Sequence, residues 1–219
     1  MAAFTREFEI ESEKTTLNFH QNVDGDVSCV VWDAALVLAG FLDCENKRRK
    51  GFLSRKSVIE LGSGVGCVAL AAAALGANVT ATDLPNVVPL IERNIAVNSD
   101  SILQSGGSCT ARVLDWSEKS FDFIQADYIL VADCVYYEQS VEPLVSVLQM
   151  FSDDKTIIYL SQEVRDYSLK QIKFWEDFHK TLLKYFEVTK IEKERQHQYF
   201  YSDDILLLEL KLKEKSNNS

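Results

Sequence analysis

The sequence predicts a single α/β domain over residues 1–219. Its centre is a mostly parallel, doubly wound sheet with an antiparallel last strand, preceded by a short N-terminal β extension (1–28). Three observations carry this. Short β-branched runs alternate with amphipathic stretches from residue 58 onward, as strands joined by helical crossovers do. No helical stretch separates the last two apolar runs, so those strands can pair antiparallel. The chain has 219 residues, 47% of them hydrophobic, and only three prolines, so one core can form and no Pro/Gly-rich linker divides it.

The elements follow in order. Phe4, Phe8 and Ile10, then Leu17 and Phe19, alternate loosely and suggest two short strands or a hairpin. Residues 31–42 are apolar enough for a buried helix, which should end before a charged loop at 45–50. Residues 58–61 form a strand, a glycine turn follows, and the Ala-rich stretch 67–74 forms a helix. Strand 79–83 is rich in β-branched residues, and helix 87–97 carries Val87, Ile91 and Ile95 on one face. Strands at 110–114 and 128–132 come next, then a helix at 141–150 that buries Val141, Leu144, Val145 and Leu148. A strand at 157–160 leads into a long amphipathic helix through Ile172, Trp175, Phe178 and Leu182. Two strands, near Val188 and at 205–212, close the fold, and 213–219 should fray.

The motif with most chemistry in it is the run from Glu60 through Gly62, Ser63 and Gly64 to Gly66, between a strand end and a helix start. Glycines there allow a sharp turn and bring backbone flat against a ligand. Asp83 ends the next strand, roughly twenty residues on, where a carboxylate can accept from both hydroxyls of a ribose. Three readings compete: a tight turn that serves packing alone, a nicotinamide dinucleotide site, and an S-adenosylmethionine site. The dinucleotide fingerprint wants its third glycine, or an alanine, at position 67, but this chain has Cys67 there and Gly66 one place earlier. The adenosylmethionine reading therefore leads. Trp116, after Asp115 at the end of the third strand of the sheet, offers a flat face for an adenine, although core packing would equally employ it. Ala132 and Asp133 end the fourth strand, and Tyr136 and Tyr137 follow. A carboxylate closing a buried strand is costly without a partner, which points to a site.

At Asp133–Tyr136 the chain resembles the seven-β-strand protein-lysine methyltransferases of methyltransferase family 16, whose mark is an acidic-x-x-aromatic motif after the fourth strand. The similarity also rests on residues 30–38, on 58–66 with Asp83 and Leu84, on 128–138 and on 141–144. It implies a Rossmann-like seven-strand methyltransferase fold, S-adenosylmethionine as cofactor and a protein lysine as acceptor. Within the family, these blocks look most like the branch that acts on a valosin-containing AAA ATPase. By position, the resemblance assigns cofactor contacts to Trp32, Gly62, Ser63, Gly64, Asp83, Trp116, Ala132 and Tyr136. Glu60, at the start of the same loop, is likewise expected to bind the cofactor. Val65 departs from the Thr that many relatives carry. Asp133 is expected to orient the amine and Tyr136 to wall its pocket, whereas Tyr137 is expected to pack in the core. Glu163 and Arg165 either pair with each other or line the substrate rim. A silent cofactor-binding module and a small-molecule methyltransferase are the alternatives.

The formal net charge of -10 argues against a broad phosphate-gripping face and hence against nucleic acid as the main partner. Five cysteines, odd in number and with no C-x-x-C pair, suggest free thiols in a reducing compartment. The apolar stretch 67–75 is too short to span a bilayer, and the N-terminus has no secretory pattern. A cytoplasmic monomer is expected, with the basic run 47–50 most simply a solvated loop, or else a contact for an acidic patch on a partner or a nuclear signal. His20, His179 and His197 lack metal-ligand spacing and should serve surface or cap roles, with no metal bound.

Overall fold

The computed structural model describes residues 3–22, 27–118, 125–164 and 169–214. Strands β1 (Ala3–Ile10) and β2 (Thr15–Asn22) form an antiparallel hairpin in which Phe8 faces Leu17. Then come α1 (Asp33–Arg48), β3 (Ser57–Leu61), α2 (Cys67–Ala74), β4 (Asn78–Asp83), α3 (Val88–Val97), α4 (Ser99–Gln104) and β5 (Ser108–Val113). The second half holds β6 (Tyr128–Ala132), α5 (Val141–Met150), β7 (Ile157–Glu163), α6 (Leu169–Tyr185), β8 (Phe186–Lys190) and β9 (Ile205–Leu212).

The main sheet has seven strands in the order β5-β4-β3-β6-β7-β9-β8. The first five run parallel, and β9 lies antiparallel between β7 and β8. Its two faces bury separate apolar layers. One joins α1 and α2 to the hairpin through Leu38, Phe41, Leu70 and Phe19, and the other joins α5 to α6 through Leu144, Leu148, Phe178 and Leu182. The chain leaves β3 toward β4 on one side and returns to β6 on the other. That reversal opens a crevice at the carboxyl ends of the strands, where ligands bind in such sheets.

The hairpin is fastened by side chains that imitate a strand. Asn98 accepts from the Asn18 N–H and donates to its carbonyl, both at 2.8 Å. Asn94 does the same for His20, at 2.8 and 3.1 Å, and also donates to the Val65 carbonyl at 2.8 Å. One buried amide thus ties the hairpin to the glycine loop, and each satisfied backbone group avoids a desolvation cost of about 1–3 kcal/mol.

Three expectations are corrected here. Helix α1 does not stop before the charged run; it continues to Arg48, and Glu45 and Asn46 are buried. Glu45 takes contacts of 2.9 Å from both Arg48 and Arg49 and 3.2 Å from Arg195. Burial opposes its charge, but these guanidinium contacts prevail and hold its carboxyl below the usual range. Asp43 accepts the Glu11 and Ser12 N–H groups at 3.1 and 3.0 Å, and Lys47 bonds Glu11. Lys47, Arg48 and Arg49 therefore form the outer half of an ion-pair belt rather than a solvated loop, while Lys50 is exposed in the turn that follows. The short helix α4 was not anticipated. His197 is buried, with its Nδ1 accepting the Tyr199 N–H at 3.2 Å. Arg165 lies outside the described residues, as do 215–219, while Lys213 is tied to the Tyr185 carbonyl at 2.9 Å.

Candidate active site

The crevice is built from β3 outward. Gly62 and Gly64 have φ of +68° and +55°, in the left-handed region that favours glycine. Space excludes a side chain as well: a Cβ at Gly62 would fall 2.7 Å from Cys134 Sγ, and one at Gly64 3.0 Å from the Ser28 carbonyl oxygen. The loop is laced to β4. Ser63 N–H donates to the Thr82 carbonyl at 2.9 Å, and Thr82 returns N–H to Ser63 Oγ at 3.1 Å and its hydroxyl to the Glu60 carbonyl at 2.6 Å.

Asp83 accepts the Gly64 N–H on one oxygen at 2.7 Å and the Leu84 N–H on the other at 2.8 Å. These two bonds fix the plane of the carboxylate, and a carboxylate has about four acceptor positions in all. Glu60 has another task. Buried to 2% exposure, it accepts the Ala69 N–H at 2.9 Å and so satisfies an orphan donor in the first turn of α2. Burial pushes its carboxyl up to about 8, against the hydrogen bonds from Ser63 and Ala69.

The opposite wall begins where β6 ends. Asp133 is 9% exposed and adopts φ +53°, a conformation that costs a non-glycine residue on the order of 1–3 kcal/mol and clusters at functional sites. The turn is held by Asp133 N–H donating to the Ser161 carbonyl at 2.8 Å and by Gln162. Gln162 Nε2 donates to Asp133 Oδ1 at 2.8 Å, while its Oε1 accepts the Val135 N–H at 3.0 Å. Cys134 directs its thiol at the Leu61 carbonyl, 3.2 Å away, and burial keeps that thiol protonated. Across the mouth, the Trp32 indole N–H donates to the Val27 carbonyl at 2.7 Å, and the Asp115 carboxylate is held low by the hydroxyl and N–H of Ser117.

The structure brings all ten expected residues to one cavity of about 320 Å³: Trp32, Glu60, Gly62, Ser63, Gly64, Asp83, Trp116, Ala132, Asp133 and Tyr136. That volume falls within the range of small-molecule sites. Tyr137 is a correction. It is 51% exposed and lines the cavity mouth beside Tyr136, with ring centroids 4.5 Å apart. Glu163 is half-buried at the end of β7 and does not line this cavity.

Two site residues were not foreseen. Gln162 carries no sequence signal of its own; only the β6–β7 register, which sets Ala132 beside Ser161, places it next to Asp133. Ser28 lines the cavity with a buried hydroxyl that finds no hydrogen-bond partner among the described residues.

These features suit a nucleoside-sulfonium cofactor better than a dinucleotide. A pyrophosphate would be gripped by the first N–H groups of the helix after the glycine loop. Here Glu60 already occupies that helix end. The orphaned Ser28 hydroxyl, the cradle under Gly62 against the Trp116 ring, and the carboxylates of Asp83, Asp115 and Asp133 offer a polar, acidic surface to a cationic nucleoside.

Glu11, Asp43 and His197 form the one carboxylate–imidazole group of metal-ligand dimensions among the described residues. Lys47 bonds Glu11 and stands 3.5 Å from Asp43, which already supplies a cation there. All five cysteines are free thiols. No described helix is long and apolar enough to cross a membrane.

The family profile described as lysine methyltransferase matches residues 11–186. Among individual proteins, the chain is 37% identical over 141 residues to the protein N-lysine methyltransferase METTL21A of Xenopus tropicalis, covering 64% of this chain and 62% of that one. It is 35% identical over 147 residues to EEF1A lysine methyltransferase 3 of the same organism, covering 67% and 62%. The alignments thus span under two thirds of the length of these curated relatives. Among solved structures, the 16S rRNA N2 G1207 methyltransferase RsmC of T. thermophilus, in complex with AdoMet and guanosine, superposes with a TM-score of 0.64 at 15% identity. That superposition covers 97% of this chain and 51% of that one. The glycopeptide N-methyltransferase MtfA, complexed with sinefungin, gives 0.59 at 14% identity over 80% and 87%. These likenesses establish the fold.

Proposed function

We propose, from the premise that the chain belongs to the lysine methyltransferase family, that it transfers a methyl group from S-adenosylmethionine to a lysine ε-amine of a protein substrate. The observation that carries this reading is Asp133, turned by a left-handed backbone into the same cavity as the glycine loop and Asp83. The cofactor supplies an electrophilic methyl on a cationic sulfur. Asp83 would hold the ribose and Trp116 the adenine. The protein's remaining work is positioning and electrostatics.

The attacking amine must be neutral. From a free pKa near 10.4, deprotonation at pH 7 costs about 4.6 kcal/mol, and a partly apolar pocket lowers that cost. Asp133, steadied by Gln162, would accept a hydrogen bond from the amine and aim its lone pair at the methyl carbon. Tyr136, 47% exposed, would wall the entrance and favour a methylated ammonium through cation–π attraction.

The proposed substrate is a valosin-containing AAA ATPase, supported by the resemblance of residues 30–38, 128–138 and 141–144. The chain is proposed to act as a monomer in the cytoplasm, with a share in the nucleus. Labelled cofactor should be incubated with the purified ATPase and, separately, with elongation factor 1A, the protein that names one relative. Label in the factor alone would move the substrate assignment.

Two variants test the chemistry. Asp133→Ala should bind S-adenosylmethionine within about threefold of wild type yet lose transfer, and equal methylation by both proteins would refute the role. Asp83→Ala should weaken cofactor binding by tenfold or more in calorimetry, because both the ribose acceptor and the Gly64 anchor are lost.

A further inference from the structure

A second cavity adjoins the first. It has a volume of about 1020 Å³ and lies between α6 and residues 136–142. The two share Tyr136, Tyr137 and Gln139, so the tyrosine pair stands where one opens toward the other. The groove has an apolar lining from Val141, Phe174 and Phe178. Among the described residues its charged lining is unbalanced, with Glu138, Glu142 and Asp177 against Lys173. Lys180 stands 3.6 Å from Asp177, which leaves Glu138 and Glu142 as the dominant charges of the groove.

We propose that this groove docks an extended, cationic segment of the substrate polypeptide, with one or more arginines or lysines flanking the acceptor lysine. The inference rests on the methyltransferase reading and adds the substrate's local chemistry. Continuity with the donor cavity lets one chain lie along α6 while its lysine passes the tyrosine pair; an extended backbone advances about 3.3–3.6 Å per residue, so the flank is a few residues away. Charge selects the occupant. Glu138 and Glu142, the dominant described charges of the groove, repel a nucleic acid or an anionic lipid surface and attract a basic flank, and the chain's net charge of -10 adds long-range steering. The apolar lining suits the stems of arginine and lysine, which bury their methylenes while the charged heads meet carboxylates.

The test uses the full chain and a fluorescein-labelled nine-residue peptide with a central lysine between paired arginines and serines. Its binding is read by anisotropy at 50 mM and 500 mM salt. Glu138→Lys with Glu142→Lys reverses the groove. Glu187→Lys with Glu192→Lys makes the same change in net charge on exposed positions remote from it. At 50 mM salt the groove variant should bind at least fivefold more weakly than the remote one, and the gap should shrink at 500 mM as screening shortens. Lys173→Glu should tighten binding at least twofold, a gain that misfolding would not produce. Equal binding by the groove and remote variants, or weaker binding by Lys173→Glu, overturns the proposal. Cofactor calorimetry on the same proteins separates the two readings: loss of cofactor binding in wild type sinks the methyltransferase assignment whatever the peptide does, while intact cofactor binding with no groove effect sinks only the docking surface.

Discussion

Glu60 gives the site's scaffold a pH dependence that can be isolated. The carboxyl is buried, caps α2 through the Ala69 N–H, and is raised from 4.5 to about 8 by burial. An acid whose folded pKa exceeds its unfolded value stabilises the fold fully below the unfolded value, and that stability drains as pH rises to the folded one. For Glu60 the window runs from 4.5 to about 8, and several kcal/mol of stability should be lost between pH 5 and pH 8. The other perturbed carboxylates do not interfere. Glu11, Glu45 and Asp127 have lowered pKa values, so their contribution is complete above about pH 5 and disappears only on acidification. Glu60→Gln keeps an oxygen for the Ala69 N–H but cannot ionise. Urea unfolding without cofactor, from pH 5 to 8.5, should show wild type falling relative to the variant, with the variant ahead by several kcal/mol at pH 8. Parallel stability curves for the two proteins would refute the reasoning, since Glu60 would then be ionised in the native state.

Gln162→Leu should strip a donor from Asp133 and an acceptor from Val135, destabilising the chain by about 1–3 kcal/mol per orphaned group. Steady-state kinetics should show a fall in kcat with cofactor affinity within about threefold of wild type; a pure loss of cofactor affinity would contradict a role through Asp133. Gly62→Ala must accommodate a Cβ 2.7 Å from Cys134 Sγ in a left-handed conformation. A loss of about 2–4 kcal/mol is expected, which in a protein of this size lowers Tm by roughly 4–16 °C in a thermal melt.

Most of the fold was legible because its strands are short, apolar and separated by helices of different period. The limits of β6, α2, α5 and β9 follow directly from their apolar runs. Two elements escaped for opposite reasons. Helix α4 buries only Ile102, so it has no repeating apolar face to read. The end of α1 is written in charged residues, which usually signal solvent. Here Glu45 gathers three guanidinium groups, one of them from Arg195, and no local pattern announces a partner 150 residues away.

The candidate site divides in the same manner. Its donor half is contiguous: the glycine loop and Asp83 sit on adjacent strands at a spacing that the crossover helix dictates, so chain order alone places them together. Its acceptor half depends on a single backbone angle. Had Asp133 continued in an extended conformation, alternation along β6 would have returned the following aromatics to the core, as was expected for Tyr137. The left-handed turn at Asp133 instead carries Tyr136 and Tyr137 outward to 47% and 51% exposure, onto the lip between the two cavities. What stabilises that turn is Gln162, which reaches Asp133 and Val135 from the neighbouring strand with one amide. The acceptor geometry is thus specified by strand register, a long-range property, and Asp133 cannot be understood without the residue that sequence alone does not place beside it.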